Sequence, residues 1–269
     1  MNKKFQHKNI LITGGASGIG KIMARLSLEK GAKVIIWDID QVKIDETILQ
    51  FSSLGSIFGY KVDVSNYDEV QHIATKTKQK IGNIDILINN AGIVVGKYFH
   101  EHSQKDILKT IEINTNAPMV ITNLFLQDML TQNSGHICNI ASSAGLVSNP
   151  KMSVYAGSKW AVVGWSDSLR LEMEQLKKNI KVTTIMPYYI NTGMFDGVKS
   201  VLPILDPEKA AKTIISAIEN NRKMVTLPRY IYRLTRIGQG LFPLRFFDWF
   251  AGSLLGIYKT MADFKGHKK

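Results

Sequence analysis

Three side chains, Ser142, Tyr155 and Lys159, carry the chemistry that this sequence suggests. Tyr155 and Lys159 are four positions apart, so on a helix they share one face, a single turn from each other. A lysine ammonium beside a phenol favours phenolate over phenol. The spacing therefore predicts a tyrosine pKa drawn down from about 10 toward the working range of a general base. Ser142 lies thirteen residues before Tyr155, and its hydroxyl could polarise a carbonyl or hold an alcohol oxygen. Upstream stands a glycine-rich turn, Thr13-Gly14-Gly15-Ala16-Ser17-Gly18-Ile19-Gly20. Together these features imply redox chemistry on an alcohol or a carbonyl.

The glycine turn follows a short apolar run, Asn9 to Thr13, and precedes a helical pattern. Glycines allow the tight turn and let backbone N–H groups approach a pyrophosphate, while the helix N-terminus adds partial positive charge. The spacing is Gly-x-x-x-Gly-x-Gly rather than the common Gly-x-Gly-x-x-Gly. Gly14, Ser17, Gly18, Ile19 and Gly20 are the candidate dinucleotide contacts. Asp38 ends the second apolar run, where a carboxylate can accept both ribose hydroxyls and repel a 2′-phosphate. It points to NAD(H) over NADP(H), and Lys21 pulls the other way. At Asp63 and Val64, after the third strand, the acid could bond an adenine amino group while the next residue packs the ring, or it could be a plain turn aspartate. Asn89-Asn90-Ala91-Gly92 can lock neighbouring strand ends and leave room for a cofactor; this composition is also common in turns.

The elements that position these residues alternate. Strands are predicted over Asn9 to Thr13, Lys33 to Trp37, Ile57 to Val62, Ile84 to Asn89, His136 to Ile140, Lys181 to Met186 and Met224 to Leu227. Helices are predicted over Gly18 to Lys30, Asp40 to Leu54, Asn66 to Ile81, Gln104 to Leu130, Ser153 to Lys177 and Pro207 to Asn220, with Tyr188 to Asp206 irregular. Such alternation means a parallel α/β sheet with right-handed crossovers, one doubly wound domain. The singled-out residues fall mostly at strand ends or just beyond, where open α/β sheets bind ligands. The chain shows no linker, repeat or low-complexity segment.

Composition sets the outer bounds. The 269 residues, 45% of them apolar, suffice for one large core and argue against disorder. The single cysteine, Cys138, rules out an intramolecular disulfide framework and suits a reducing compartment. Asn9 to Thr13 is too short for a signal-peptide core or a membrane span, so the expected address is cytoplasmic. Of the six histidines only His100 and His102 lie close together, in an expected loop, and no metal site is predicted. The net charge is +12, and Pro228 to Lys269 contributes half of it, with eight Lys/Arg, two Asp/Glu and nine of the 24 aromatic residues.

With Asn114 added, these motifs resemble the classical short-chain dehydrogenase/reductase family, from Asn9 to about Pro228. The resemblance implies a Rossmann-type fold, read as a dinucleotide-binding catalytic domain over residues 1–227 and a basic, aromatic helical extension over 228–269. It implies Tyr155 as general acid/base, Ser142 as holder of the substrate oxygen, and Lys159 as partner of the nicotinamide ribose and of the phenol. Asn114 would hold, through its backbone, a water that relays the proton. Asn90, Ala91, Gly92, Ile190 and Thr192 would join the cofactor contacts, Ile190 near the carboxamide and Thr192 near the phosphates. A homodimer or homotetramer through the two long helices is expected from the same resemblance. Where the family usually has Pro-Gly, this chain has Pro187-Tyr188, and tyrosine lacks glycine's backbone range. That variant, with Trp37-Asp38-Ile39, Pro207-Glu208, Lys223-Met224 and Pro228, looks like the branch of retinol, 17β-hydroxysteroid and long-chain alcohol dehydrogenases.

The expected activity is hydride transfer between NAD(H) and a lipophilic alcohol or ketone. An NADP(H)-dependent carbonyl reductase and a catalytically idle nucleotide-binding scaffold are the alternatives. The stretch Leu241 to Ile257, broken by Pro243, Arg245 and Asp248, is too short and too charged to span a bilayer. Phe246, Phe247, Trp249, Phe250, Leu254 and Leu255 could cover the substrate cleft, pack on another subunit, or lie peripherally on a membrane. The first use would join them to Val198, Val201, Leu202, Ile204 and Leu205 in an apolar pocket. No nucleic-acid-binding signature is present, and none is expected as a partner.

Overall fold

A computed structural model describes residues 4–200, 202–254 and 256–266. Val201, Leu255, His267 and the Leu254 side chain lie outside the described residues. Seven parallel strands form one sheet in the order β3-β2-β1-β4-β5-β6-β7. They are β1 (Asn9–Thr13), β2 (Lys33–Asp38), β3 (Ile57–Lys61), β4 (Ile86–Asn89), β5 (Gly135–Ile140), β6 (Ile180–Pro187) and β7 (Met224–Leu227). Between them run α1 (Gly18–Glu29), α2 (Gln41–Phe51), α3 (Tyr67–Ile81), α4 (Gln104–Ile111), α5 (Ala117–Thr131), α6 (Ser153–Gln175) and α7 (Pro207–Glu219).

Each central strand feeds two cores, because alternate side chains leave opposite faces of a sheet that is covered on both. Ile10 and Ile12 of β1 pack with Met23 and Ala24 of α1 and Ile214 of α7. Leu11, between them, faces Val70 of α3 and Phe125 of α5. β2 splits the same way, with Val34 and Ile36 on the first side and Ile35 and Trp37 on the second. The Trp37 ring lies 5.9 Å from that of Phe125, and its indole N–H donates to Thr77 Oγ1 at 3.3 Å. Helix starts are set by short polar caps. Asp40 accepts from the Lys43 N–H, Asn66 from Glu69 and Asp206 from Lys209.

Strand order reverses between β1 and β4, and there polar clasps hold the sheet's carboxyl edge. The Thr13 hydroxyl accepts the N–H groups of Asn90 and Ala91, both at 3.0 Å. Asn89 and Asn139 face each other in the β4–β5 register, and the Asn89 amide donates to Asn139 Oδ1 at 2.8 Å. Asn139 in turn donates to Ser166 Oγ of α6 at 2.8 Å. The strand ends around the reversal are therefore tied to one another and to α6.

Two elements differ from expectation. The single helix predicted over Gln104 to Leu130 is interrupted by a π-helical turn at Glu112–Asn116. Apolar periodicity cannot register one inserted residue, and such turns mark functional sites. The third strand ends at Lys61, so Asp63 and Val64 sit in the turn that leads to α3 rather than at the strand tip.

After β7 the chain forms α8 (Tyr230–Leu241), α9 (Leu244–Asp248) and a π-helical turn. It then returns toward the carboxyl edge of the sheet. Lys199 N–H donates to the Thr260 carbonyl at 3.2 Å and Lys265 N–H to that of Asp196 at 2.8 Å. Asn149 Nδ2 donates to Thr260 Oγ1 at 2.8 Å, and the Tyr189 hydroxyl lies 3.0 Å from the same atom. Gly197 lets this strap approach, since a Cβ there would stand 2.1 Å from the Asp263 carbonyl oxygen. No helix among the described residues is long and apolar enough to cross a membrane.

Candidate active site

Tyr155 and Lys159 share a buried face of α6, with the ammonium 5.8 Å from the centre of the phenol ring. Lys159 Nζ donates to the Ile140 carbonyl at 3.0 Å, at the end of β5. Ser142 lies two residues beyond that strand and opens a short turn, its hydroxyl accepting from the Ala144 N–H at 3.1 Å. The strand end thus fixes both partners of Tyr155. Burial pushes the Tyr155 phenol up to about 12 and outweighs the nearby Ser142 hydroxyl, which favours ionisation. Burial likewise brings Lys159 down to about 8. The expected depression of the phenol by its cationic neighbour is not the outcome in the protein alone. Withdrawal from water disfavours the charged form of each group, and this is the larger effect.

A cleft along the carboxyl edge brings together Gly14, Ser17, Gly18, Ile19, Asn90, Ala91, Gly92, Ser142, Tyr155, Lys159, Ile190 and Thr192. Gly14 has φ +63° and Gly18 φ +51°, a backbone range open to glycine. Ser17 precedes α1 without capping it by its side chain. A free helix N-terminus flanked by bare backbone fits a pyrophosphate. Gly20 lies beneath the turn, where a Cβ would stand 2.0 Å from the Gly14 carbonyl oxygen. Its role is to let α1 close onto the loop.

Asp38, Asp63, Val64 and Asn114 are not among the residues that line this cleft. Asp38 accepts the Ala16 N–H through Oδ2 at 3.0 Å and the Asp40 N–H through Oδ1 at 3.3 Å, so it braces the glycine turn from behind. Lys21 turns away, its ammonium 5.8 Å above the Phe51 ring. Asp63 closes its own turn, accepting from the Ser65 N–H and hydroxyl at 3.0 and 2.6 Å. Val64 packs in the core. Asn114, on the π turn, clamps the loop after β4. It accepts from the Ile93 N–H at 2.8 Å and donates to the Ile93 carbonyl at 2.9 Å and to Ser158 Oγ at 3.1 Å.

Tyr188 has no left-handed backbone, so the loop takes a tyrosine there without strain. Its hydroxyl pairs with Ser200 Oγ at 2.8 Å. Beside it are Tyr189 and Phe195, which the motifs did not single out. Their rings meet edge to face at 5.0 Å, and Phe195 reaches Tyr155 at 6.1 Å. An irregular loop has no periodicity to mark such residues; aromatic density between β6 and α7 was the available signal. Behind this cluster a second cavity of about 550 Å³ extends from Ser142 to α8 and the chain beyond it, and its walls are almost wholly apolar. Ser142, Tyr188 and Phe195 border both spaces.

The short chain dehydrogenase family model matches residues 8–202. The chain is 34% identical over 267 residues to epidermal retinol dehydrogenase 2 of Mus musculus, covering 97% of this chain and 86% of that one. It is 35% identical over 240 residues to estradiol 17-beta-dehydrogenase 11 of Homo sapiens, covering 88% and 80%. Its structure is similar to that of a short chain dehydrogenase/reductase from Burkholderia phymatum in complex with NAD. The TM-score is 0.81 at 26% identity, over 88% of this chain and 94% of that one.

The buried lysine leaves a signature in stability. Lys159 sits near 8 in the fold and near 10.4 when unfolded. Between those values the unfolded chain binds more protons, so the lysine's penalty is full below pH 8 and is relieved as pH rises. Relative to Lys159→Met, the wild type should gain about 2 kcal/mol between pH 8 and pH 10. Urea denaturation of both proteins at the two pH values measures this, and a pH-independent difference would contradict a buried, depressed lysine.

Proposed function

This chain belongs to the short-chain dehydrogenase/reductase family, and we propose that it is an NAD(H)-dependent oxidoreductase of lipophilic alcohols and ketones. The observation that carries the reading is the apolar cavity of about 550 Å³ that begins at Ser142, beside the buried phenol. It would hold one end of a substrate at Ser142, which also borders the cleft that contains Tyr155, and the rest among hydrocarbon, which suits a hydroxyl or carbonyl on an apolar body. Retinol and estradiol, named in two similar proteins, have that form.

In this reading Ser142 holds the substrate oxygen and Tyr155 exchanges its proton. Alcohol oxidation removes a hydride from carbon and a proton from oxygen, and the phenolate takes the proton; carbonyl reduction runs the reverse. A bound nicotinamide supplies the hydride acceptor or donor. Lys159 meets the ribose and, when charged, offsets phenolate charge. Asn114 acts as a positioning residue through Ile93, and its backbone is the proposed seat of a relay water. Gly14, Ser17, Gly18, Ile19, Asn90, Ala91, Gly92, Ile190 and Thr192 hold the cofactor, with Asp63 and Val64 at the adenine end. Tyr155→Phe removes the titrating oxygen and keeps the ring, so turnover of decanol should fall by about 100- to 10,000-fold while NADH affinity is unchanged. Wild-type protein should prefer decanol to a small polyol. Retained turnover in the variant, or equal use of the polyol, would count against the reading.

Two finer readings follow. The cofactor is NAD(H), because Asp38 places a carboxylate behind the glycine turn and Lys21 is drawn toward Phe51. A 2′-phosphate there would meet like charge, so NADH should bind at least ~10-fold tighter than NADPH. Fluorescence titration with both decides, and tighter NADPH would reverse the assignment. The assembly is a homodimer or homotetramer through α4–α5 and α6, a reading supported by exposed Leu108, Trp160 and Leu171 on those helices.

A further inference from the structure

We propose that the outer face of α8 and the turns after it docks on an anionic phospholipid bilayer, and that substrate reaches the cavity from that bilayer. The access route rests on the cavity being the substrate pocket; the docking does not.

α8 carries three stripes. One holds it to the protein, with Thr235 buried and Gln239 Nε2 donating to the Leu146 carbonyl at 2.9 Å. A second comprises Tyr230, Leu234, Ile237 and Leu241, all turned outward, with Leu234 63% and Leu241 72% exposed. The third is Arg229, Arg233 and Arg236, at the same spacing and about 100° further around the helix. The apolar face continues through Leu244, 74% exposed, Trp249, and the aromatic group of Phe242, Phe246 and Phe250. Arg245 is exposed among them. From 228 to 254 the sequence holds these four arginines and a single acid, Asp248. That acid accepts a hydrogen bond from the Tyr258 hydroxyl at 2.7 Å. Among the described residues none of the four arginines is ion-paired.

A continuous apolar surface of this kind needs a partner, and the charges choose among partners. A second copy of this chain would bring arginines against arginines, with +12 on each side. A bilayer with anionic headgroups takes leucine and tryptophan into the boundary with its acyl chains and accepts guanidinium hydrogen bonds on its phosphates. The face is also continuous with the cavity. Leu234, Ile237, Phe242, Phe246 and Phe250 line it together with Ser142, and these five are exposed. A lipophilic alcohol can therefore pass from bilayer to cavity without crossing water.

The experiment centrifuges the full chain with phosphatidylcholine vesicles, with and without phosphatidylserine, and repeats it for the double variant Leu241→Asp/Leu244→Asp. Neither leucine lines the cavity or the cleft. The parent should sediment with the phosphatidylserine vesicles and lose binding as salt rises. The variant's partition coefficient should fall ~100-fold, roughly tenfold for each leucine. Its turnover of hexanol without vesicles should match the parent's, while turnover of a long-chain alcohol presented in vesicles drops with binding. A parent that stays in the supernatant, or a variant that sediments equally, overturns the docking. So does a parent dimer in light scattering that the variant converts to monomer, since a second copy then covers the face. Equal turnover of the vesicle-borne alcohol by both proteins overturns the access route. Absence of alcohol turnover in both, with the parent sedimenting and the variant not, sinks the cavity reading and the route while the docking stands.

Discussion

The structure is organised around an ammonium withdrawn from water beside a phenol in the same condition. Neither group is held by an opposite charge. Lys159 donates to the Ile140 carbonyl, and the polar neighbour of Tyr155 is the uncharged hydroxyl of Ser142. Burial accordingly pushes both toward their neutral forms. Such a pair is unfavourable on its own and persists only because the surroundings are over-determined. α6 is tied to β5 through Asn139 and Ser166 and to the π turn through Asn114 and Ser158. The carbonyl that meets Lys159 is presented by the strand that also delivers Ser142. Cofactor cleft, strand ends and helix are therefore one rigid frame, and its polarity matters more than the charge of any one residue.

That frame was largely legible in the sequence, for physical reasons. A parallel sheet covered on both faces leaves short apolar runs, and β1, β2 and β4 have them. Chemistry at strand ends leaves polar residues where those runs stop, as at Thr13, Asp38, Asn89 and Ser142. The π turn was not legible, since Glu112–Asn116 inserts without breaking the apolar pattern around it. Asp63 shows a different limit. An acid after a strand suits an adenine and an Asx turn alike, and the bonds that Asp63 makes to Ser65 are compatible with both. The ionisation of Tyr155 is not legible in the sequence, because spacing reports proximity to a cation and not the loss of water around both groups.

The segment from Tyr188 onward was legible only in composition. Its aromatic residues divide between two tasks that a sequence cannot separate. Tyr189, Phe195 and Met261 pack beside Tyr155 in one buried cluster. They keep the reacting end rigid through Thr260, which meets both Asn149 and Tyr189. Leu234, Phe242, Phe246 and Trp249 are left outside, on an edge the sheet cannot cover.

Tyr188 stands at the junction of these two regions and explains why a glycine is not needed there. Its ring borders both the nucleotide cleft and the apolar cavity, and its hydroxyl is tied to Ser200. With Ser142 and Phe195 the tyrosine stands where the polar end and the apolar end of the site meet. Discrimination then comes from asymmetry. A polar body placed in the cavity would forfeit its hydrogen bonds with water and find few replacements, whereas an apolar one loses nothing. The same asymmetry gives the cavity's outer end its character, because a mouth built from leucine and phenylalanine is costly in water and becomes favourable only against other hydrocarbon.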